Sequence, residues 1–189
     1  FEAFARKNYP EITDFSIPTF AERRAADTDG LFLDRRRHAR IIAYHDFHSV
    51  SIAEDVIRMC GAAKEALGGR KVVGTYYGYV MTLGVNQRQG HFALKRLLDS
   101  GKVDFLMSPP WYAWCARGPG STLVDMKPFK SISSHGMVSV VEDDTRTHNM
   151  RYDSRVGLQQ ALNEPMSVGY MRRNMGIALC RNQPFYTLA

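Results

Sequence analysis

The chain of 189 residues is poor in cysteine and has no long apolar run. Cys60, Cys115 and Cys180 are odd in number, far apart and without a Cys-x-x-Cys pair. Neither a disulfide framework nor a zinc knuckle is expected from them. Cys60 and Cys180 fall in helical patterns and are expected as buried thiols. No stretch is long enough to cross a bilayer, so no membrane-spanning helix is expected. No glycine-rich phosphate turn follows any expected strand, which argues against a nucleotide site. Phe1 to Pro10 carries charges and no apolar segment, so no signal peptide is expected there. Phe1 in place of an initiator methionine fits a processed chain or a fragment.

What is present is an ordinary globular composition, with 44% hydrophobic and 23% charged residues. The length suits one domain with a real core. The formal net charge is +6, and part of it sits in Arg35-Arg36-Arg37 and Arg172-Arg173. No aromatic interleaving or finger spacing accompanies these runs, so they read as solvated helix flanks and no nucleic-acid partner is expected.

In chain order, Phe1 to Asn8 reads as the end of a helix, stopped by Tyr9-Pro10. Glu11 to Leu33 reads as a long loop with a short helix near Phe20 to Ala26. Asp34 caps an expected helix from about Arg36 to Leu67, whose apolar stripe is Ile52, Val56, Cys60, Ala63 and Leu67. His45 and His48 lie one turn apart in it. A third metal ligand is not evident, so they read as a surface face. Lys71 to Val80 is an expected strand, Gly84 to Gln89 a loop, His91 to Ser100 a helix and Val103 to Met107 the next strand. Trp111 to Lys130 is an expected loop. The apolar run Met137 to Val141 reads as a strand buried on both faces. A helix is expected from about Ser154 to Asn163, broken by Pro165. A second is capped by Ser167, with Val168, Met171, Met175, Ala178 and Leu179 on one face. Pro184 to Leu188 is the last expected strand.

Strands separated by helices or long loops imply a parallel α/β sheet. Polar and aromatic residues gather after successive strands, as on the rim of a (β/α)8 barrel. Four strands are half of that barrel. The expected fold class is therefore α/β, a partial (β/α)8 TIM barrel. Residues 1–35 would be a helix end and loop, and residues 36–189 the βα units.

The rim offers Tyr76, Tyr77 and Tyr79, then Trp111, Tyr112, Trp114 and Arg117, then Glu142, Asp143, Asp144, Arg146 and His148. Aromatic faces suit the C–H faces of sugars, and carboxylates with arginine suit their hydroxyls. Glycoside hydrolysis needs two carboxylates flanking the bond. Glu142 is the first acid off its strand and the natural nucleophile. Arg146 or a tyrosine hydroxyl would keep it ionised. The three acids also fit a merely solvated loop, the tyrosines packing at the barrel mouth, and Trp111 and Trp114 loop anchors. No second acid follows a strand end. Asp99 and Asp104 lie at a helix end and a strand start, and Glu54, Asp55 and Glu65 read as exposed helix residues.

The stretches KVVGTYYGYV, GHFALKRLLDSGKVDFLMSPPWY, RGPG and GMVSVVEDDTRTH, in this order, resemble the catalytic barrel of β-galactosidase-like enzymes of glycoside hydrolase family 42. The resemblance runs over nearly the whole chain. It implies that Lys71, Val103, Met137 and Pro184 begin strands five to eight and that Glu142 is the nucleophile of a retaining enzyme. The general acid/base would be supplied from before Phe1, and the isolated chain would be inactive. It implies a carbohydrate substrate, bound by Tyr76, Tyr77, Tyr79, Trp111, Tyr112, Arg117, Asp144, Arg146 and His148, and no cofactor. The adjacent acids leave Asp143 or Asp144 as alternatives to Glu142. Two other readings stand beside it: a sugar-binding barrel module without catalysis, and a metal-dependent hydrolase using Asp143, Asp144 and His148. A half-barrel with open edges is expected to associate, with the rest of its barrel or as a homo-oligomer.

Overall fold

The computed structural model describes residues 1–26, 32–81, 89–113, 117–151 and 160–187. Ten elements follow in order: α1 Glu2–Asn8, α2 Phe20–Ala26, α3 Arg35–Ala66, β1 Gly74–Tyr76, α4 Leu94–Asp99, β2 Phe105–Ser108, α5 Phe129–Ser134, β3 Val138–Asp143, α6 Glu164–Cys180 and β4 Phe185–Thr187. No helix among the described residues is long and apolar enough to cross a membrane.

The first three helices lie where their caps and periodicity place them. The Asp34 side chain accepts from the Arg36 amide, satisfying one of the donors a helix start leaves unpaired. α3 kinks at His38, whose φ of −119° is not helical. Ala53 and Cys60 reach the main core, with Leu94, Leu97 and Leu98 of α4, Leu106 of β2 and Ile132 of α5. His45 is not on a surface face: it is 7% exposed. Burial, then the charges of Arg23 and His48, lowers its pKa to about 4. Cys60 is buried as expected, whereas Cys180 is exposed at the end of α6.

The four strands are all parallel and stand in the order β1-β2-β3-β4. Each crossover steps one strand in the same direction, so right-handed crossovers put their helices on one face. A doubly wound sheet reverses its order at a switch point, and these four strands do not. The registers Gly74↔Phe105, Phe105↔Val138 and Glu142↔Tyr186 sort the residues by face, because paired residues share a side and neighbours alternate. One face carries Leu106, Ser108, Ser139, Val141 and Asp143, all at most 3% exposed. The other carries Tyr76, 41% exposed, and Val138, 45% exposed, along with Met107, Val140, Glu142 and Tyr186. The first face is packed beneath helices; the second is open among the described residues.

Several boundaries differ from expectation. β1 is three residues, not Lys71 to Val80, because Gly78 takes φ +91° and the Val80 amide turns back onto the Gly78 carbonyl at 2.7 Å. Before β2, Asp104 accepts from Lys64 Nζ at 2.6 Å and from the Val73 amide at 2.8 Å. These bonds tie α3 to both strands and hold the Asp104 carboxyl below the usual range. Residues Phe129–Ser134 form α5, where no helix was expected. Expected helical residues 154–159 and the strand end at 188 lie outside the described residues. Gln160 is not helical; it bridges to Arg146. Pro165 stands in the first turn of α6, which begins at Glu164, rather than breaking a helix, and Asn163, not Ser167, is its cap. Proline's fixed φ and missing N–H suit a helix's first turn.

Candidate functional site

β3 runs further than its apolar stretch: Glu142 and Asp143 are strand residues, paired with Tyr186 and Thr187. Consecutive strand residues point to opposite faces. The two acids are therefore on opposite sides of the sheet, and their surroundings diverge at once.

Glu142 shares the open face with Tyr76 and Tyr186. The hydroxyls of those tyrosines meet at 2.5 Å, although β2 and β3 lie between their strands. Three strand spacings amount to roughly 14 Å on a flat sheet. Two phenol tips that touch across that span require the open face to be concave at this end. Burial raises the Tyr76 pKa, and the nearby Glu142 carboxylate raises it further, against the effect of Tyr186. Tyr186 is raised strongly, by burial and then by Tyr76 and Glu142. Both phenols are thus protonated at neutral pH and stand beside the carboxylate as potential donors. Tyr79 joins the same neighbourhood: its ring stacks on His91 with centroids 4.6 Å apart. Its pKa is raised by burial and by Glu142. Glu142 itself is 8% exposed and makes no ion pair among the described residues.

Asp144 is committed elsewhere. Its Oδ1 lies 2.5 Å from Arg117 Nη1, and its Oδ2 accepts from Tyr112 Oη at 2.6 Å. Burial and that bond push the Tyr112 pKa up to about 12. Arg117 also donates to the carbonyls of Pro110 and Trp111, at 2.6 and 3.1 Å, and lies over the Tyr112 ring at 4.1 Å. This guanidinium, 6% exposed, clamps the segment after β2 onto the segment after β3. Trp111 is half-buried and pinned through its amide to the Val124 carbonyl at 2.8 Å. Asp144 and Arg117 therefore build the rim, and Tyr112, half exposed, is the member of this group with a free ring edge.

Asp143, 1% exposed, points into the helix-covered side. Its Oδ1 accepts from Asn174 Nδ2 at 3.0 Å, from the Thr145 amide at 3.1 Å and from the Thr145 hydroxyl. His148 is exposed and bonded to Ser167 at the start of α6, through its amide at 3.0 Å and Nδ1 at 2.9 Å. Asp143, Asp144 and His148 thus belong to three separate networks. No group of three or more His, Cys, Asp or Glu residues among the described residues could hold a metal ion. Arg146 bridges to Gln160, and its carbonyl accepts from the Ala161 amide at 2.9 Å. Tyr77 is not at the rim. It is 1% exposed in the helix-side core, donates to the Gly90 carbonyl at 2.9 Å and has its pKa pushed by burial to about 12. Trp114 lies outside the described residues.

Residues that the sequence does not single out support the sheet on both of its faces. Tyr186 lies in the last strand, and only register places it opposite Glu142. Arg173 was expected as a solvated flank; it donates to the carbonyls of Gly118 and Arg117 at 2.7 and 3.0 Å and braces the clamp. Lys127 is 1% exposed, bonded to Asp125 at 3.1 Å and Ser108 at 3.0 Å. Gln183 donates to Asp125 at 2.8 Å and Ser139 at 3.0 Å. The only sequence signal for Lys127 was a lone lysine between apolar residues. What the arrangement offers chemically is one exposed-face carboxylate with protonated phenols beside it and a braced aromatic rim. No family model, no curated protein and no solved structure matches the chain.

Proposed function

We propose that the chain is part of a retaining glycosidase barrel of the β-galactosidase-like, family 42 type, supplying its strands five to eight. In this reading Glu142 attacks the anomeric carbon of a terminal sugar and forms a covalent glycosyl-enzyme. A carboxylic acid from residues preceding Phe1 protonates the departing oxygen and then activates water. The protonated hydroxyls of Tyr76 and Tyr186 steady the attacking carboxylate, and Tyr79 and Tyr112 border the sugar.

The observation that carries the proposal is the sorting of three adjacent acids. Glu142 stands on the concave open face beside two phenols and outside any ion pair among the described residues, while Asp143 faces the other side, held by Asn174, and Asp144, near the same tyrosines, is held by Arg117 and Tyr112. The sequential parallel order of the strands also favours a barrel segment over a doubly wound sheet. The test is hydrolysis of an aryl β-galactoside by the longer protein that includes the preceding residues. Glu142→Gln should lower turnover at least roughly a thousandfold, as loss of a covalent nucleophile does. Azide should rescue Glu142→Gly with the product of inverted configuration. Undiminished turnover by Glu142→Gln overturns the assignment.

One observation favours a second reading, a sugar-binding barrel without catalysis: the other carboxylate that acts on the same tyrosines as Glu142, Asp144, is taken up by Arg117 and Tyr112. A longer protein that binds galactosides but hydrolyses none would establish that reading.

A further inference from the structure

On the side of the sheet away from Glu142, the ends of β3 and β4 border a cavity of about 370 Å³. Its described walls have three chemistries. Thr145, Thr147, Thr187 and Asn149 bring hydroxyls and an amide, Met150 and Met171 bring an apolar surface, and Asp143 brings one carboxylate. That carboxylate is 1% exposed, and its Oδ1 takes all of its protein bonds. Oδ2 is buried and has no hydrogen-bond partner. Buried polar atoms are almost always paired, and an unpartnered carboxylate oxygen is among the most costly exceptions. Asp143 lines the cavity, so a small turn of its carboxylate would bring that oxygen to a donor there.

The chemistry narrows the occupant. An anion is repelled by the buried carboxylate. A hard cation takes six or more oxygens at about 2.4 Å, usually with several carboxylates. Among the described walls there is one carboxylate with two thioethers, around a space at the lower end of organic-ligand pockets. Groups that both donate and accept, together with an apolar surface, match a ring carrying hydroxyls on its edge and C–H on its faces. We propose that this cavity is a second ligand site, taking a neutral polyol of monosaccharide size, one of whose hydroxyls donates to Asp143 Oδ2. The site does not rest on the catalytic reading of Glu142, since the two acids face opposite sides of the sheet.

The test uses the full chain with methyl-labelled methionine, following the Met150 and Met171 resonances by nuclear magnetic resonance. The probes are D-galactose, D-glucose and myo-inositol, with potassium, calcium and ethylammonium chlorides as controls. A saturable shift of both methyls with at least one polyol is expected, with the same midpoint in Glu142→Gln. Asp143→Asn should weaken it about tenfold or more, the usual effect of losing a charged acceptor. Should that variant fail to fold, Met171→Trp, which fills the cavity from α6, should abolish the shift. No saturable shift with any polyol up to about 100 mM, well above a millimolar affinity, overturns the proposal. So does a response to the salts alone, an unchanged midpoint in Met171→Trp, or loss of the shift in Glu142→Gln.

Discussion

Arg117 shows how one side chain can brace two strand-end segments against each other. Its guanidinium donates to three carbonyls and pairs with the Asp144 carboxylate, at the crossing of two loops. Truncating it strands a partly buried carboxylate, so Arg117→Ala should cost about 2 kcal/mol of stability, measured by urea denaturation. A cost below about 0.5 kcal/mol, the range of an exposed pair, would mean the clamp is ornamental. Tyr77 and Tyr76 make the complementary point. They are neighbours of one residue type, and alternation sends Tyr76 to the open face and Tyr77 into the core. The sequence showed a tyrosine cluster, but the choice between ligand contact and packing lay in strand parity, and β1 is too short to display a period of its own. The same holds for Glu142 and Asp143: the acids were visible as candidates, and only the end of β3 decided which faces where.

Among the elements, those with strong local signals were legible. α3 has a side-chain cap and a repeating apolar stripe; β3 has a β-branched run. α5 was missed because six residues with three serines carry little helical propensity, and its formation depends on burying Ile132. The start of α6 is ambiguous in the sequence, since Pro165 reads as a stop inside a helix and as a start in a first turn. At β1 the limiting residue is Gly74. A methyl group there would sit 2.2 Å from the Phe105 carbonyl oxygen and 2.5 Å from its ring. Backbone cannot yield cheaply to such an approach, so Gly74→Ala should destabilise the protein by about 2 kcal/mol or more. Hydrogen exchange should report the loss first at the β1–β2 amides. Protection equal to the parent's would show that the two strands can separate without cost.

The whole molecule has a distinctive response to acid. His45 and His91 are both lowered to about 4 by burial, against an ordinary value near 6.5. Their folded-state pKa is depressed, so the native protein binds fewer protons than the unfolded chain between those values. Stability is therefore full above pH 6.5 and falls as pH drops from about 6.5 to about 4. The slope is on the order of 1 kcal/mol per pH unit for each histidine. Thermal melts across that window check it; midpoints that stay level from pH 7 to pH 4.5 would contradict the burial of both rings. At the same scale the open sheet face and the two strand edges predict self-association. Analytical ultracentrifugation of the chain should show species larger than 21.4 kDa; a single monomer with a sharp melt would argue that nothing further covers that face. The α/β class and the parallel sheet were legible because apolar runs alternate with helical stretches. Whether such a sheet closes into a barrel is not written in these four strands, because their local patterns fix pairing and direction but not closure.

The buried group formed by Lys127, Asp125, Ser108, Gln183 and Ser139 bears on how the strands find their alignment. Sliding one strand by two positions keeps every side chain on its own face, so oil-and-water sorting alone does not forbid it. Such a slide would carry Ser108 or Ser139 away from its partner and leave an ammonium or an amide underground with an empty socket. A few polar atoms in an otherwise greasy layer thus act as the notches of a key, admitting one alignment of β2 against β3 and rejecting the next.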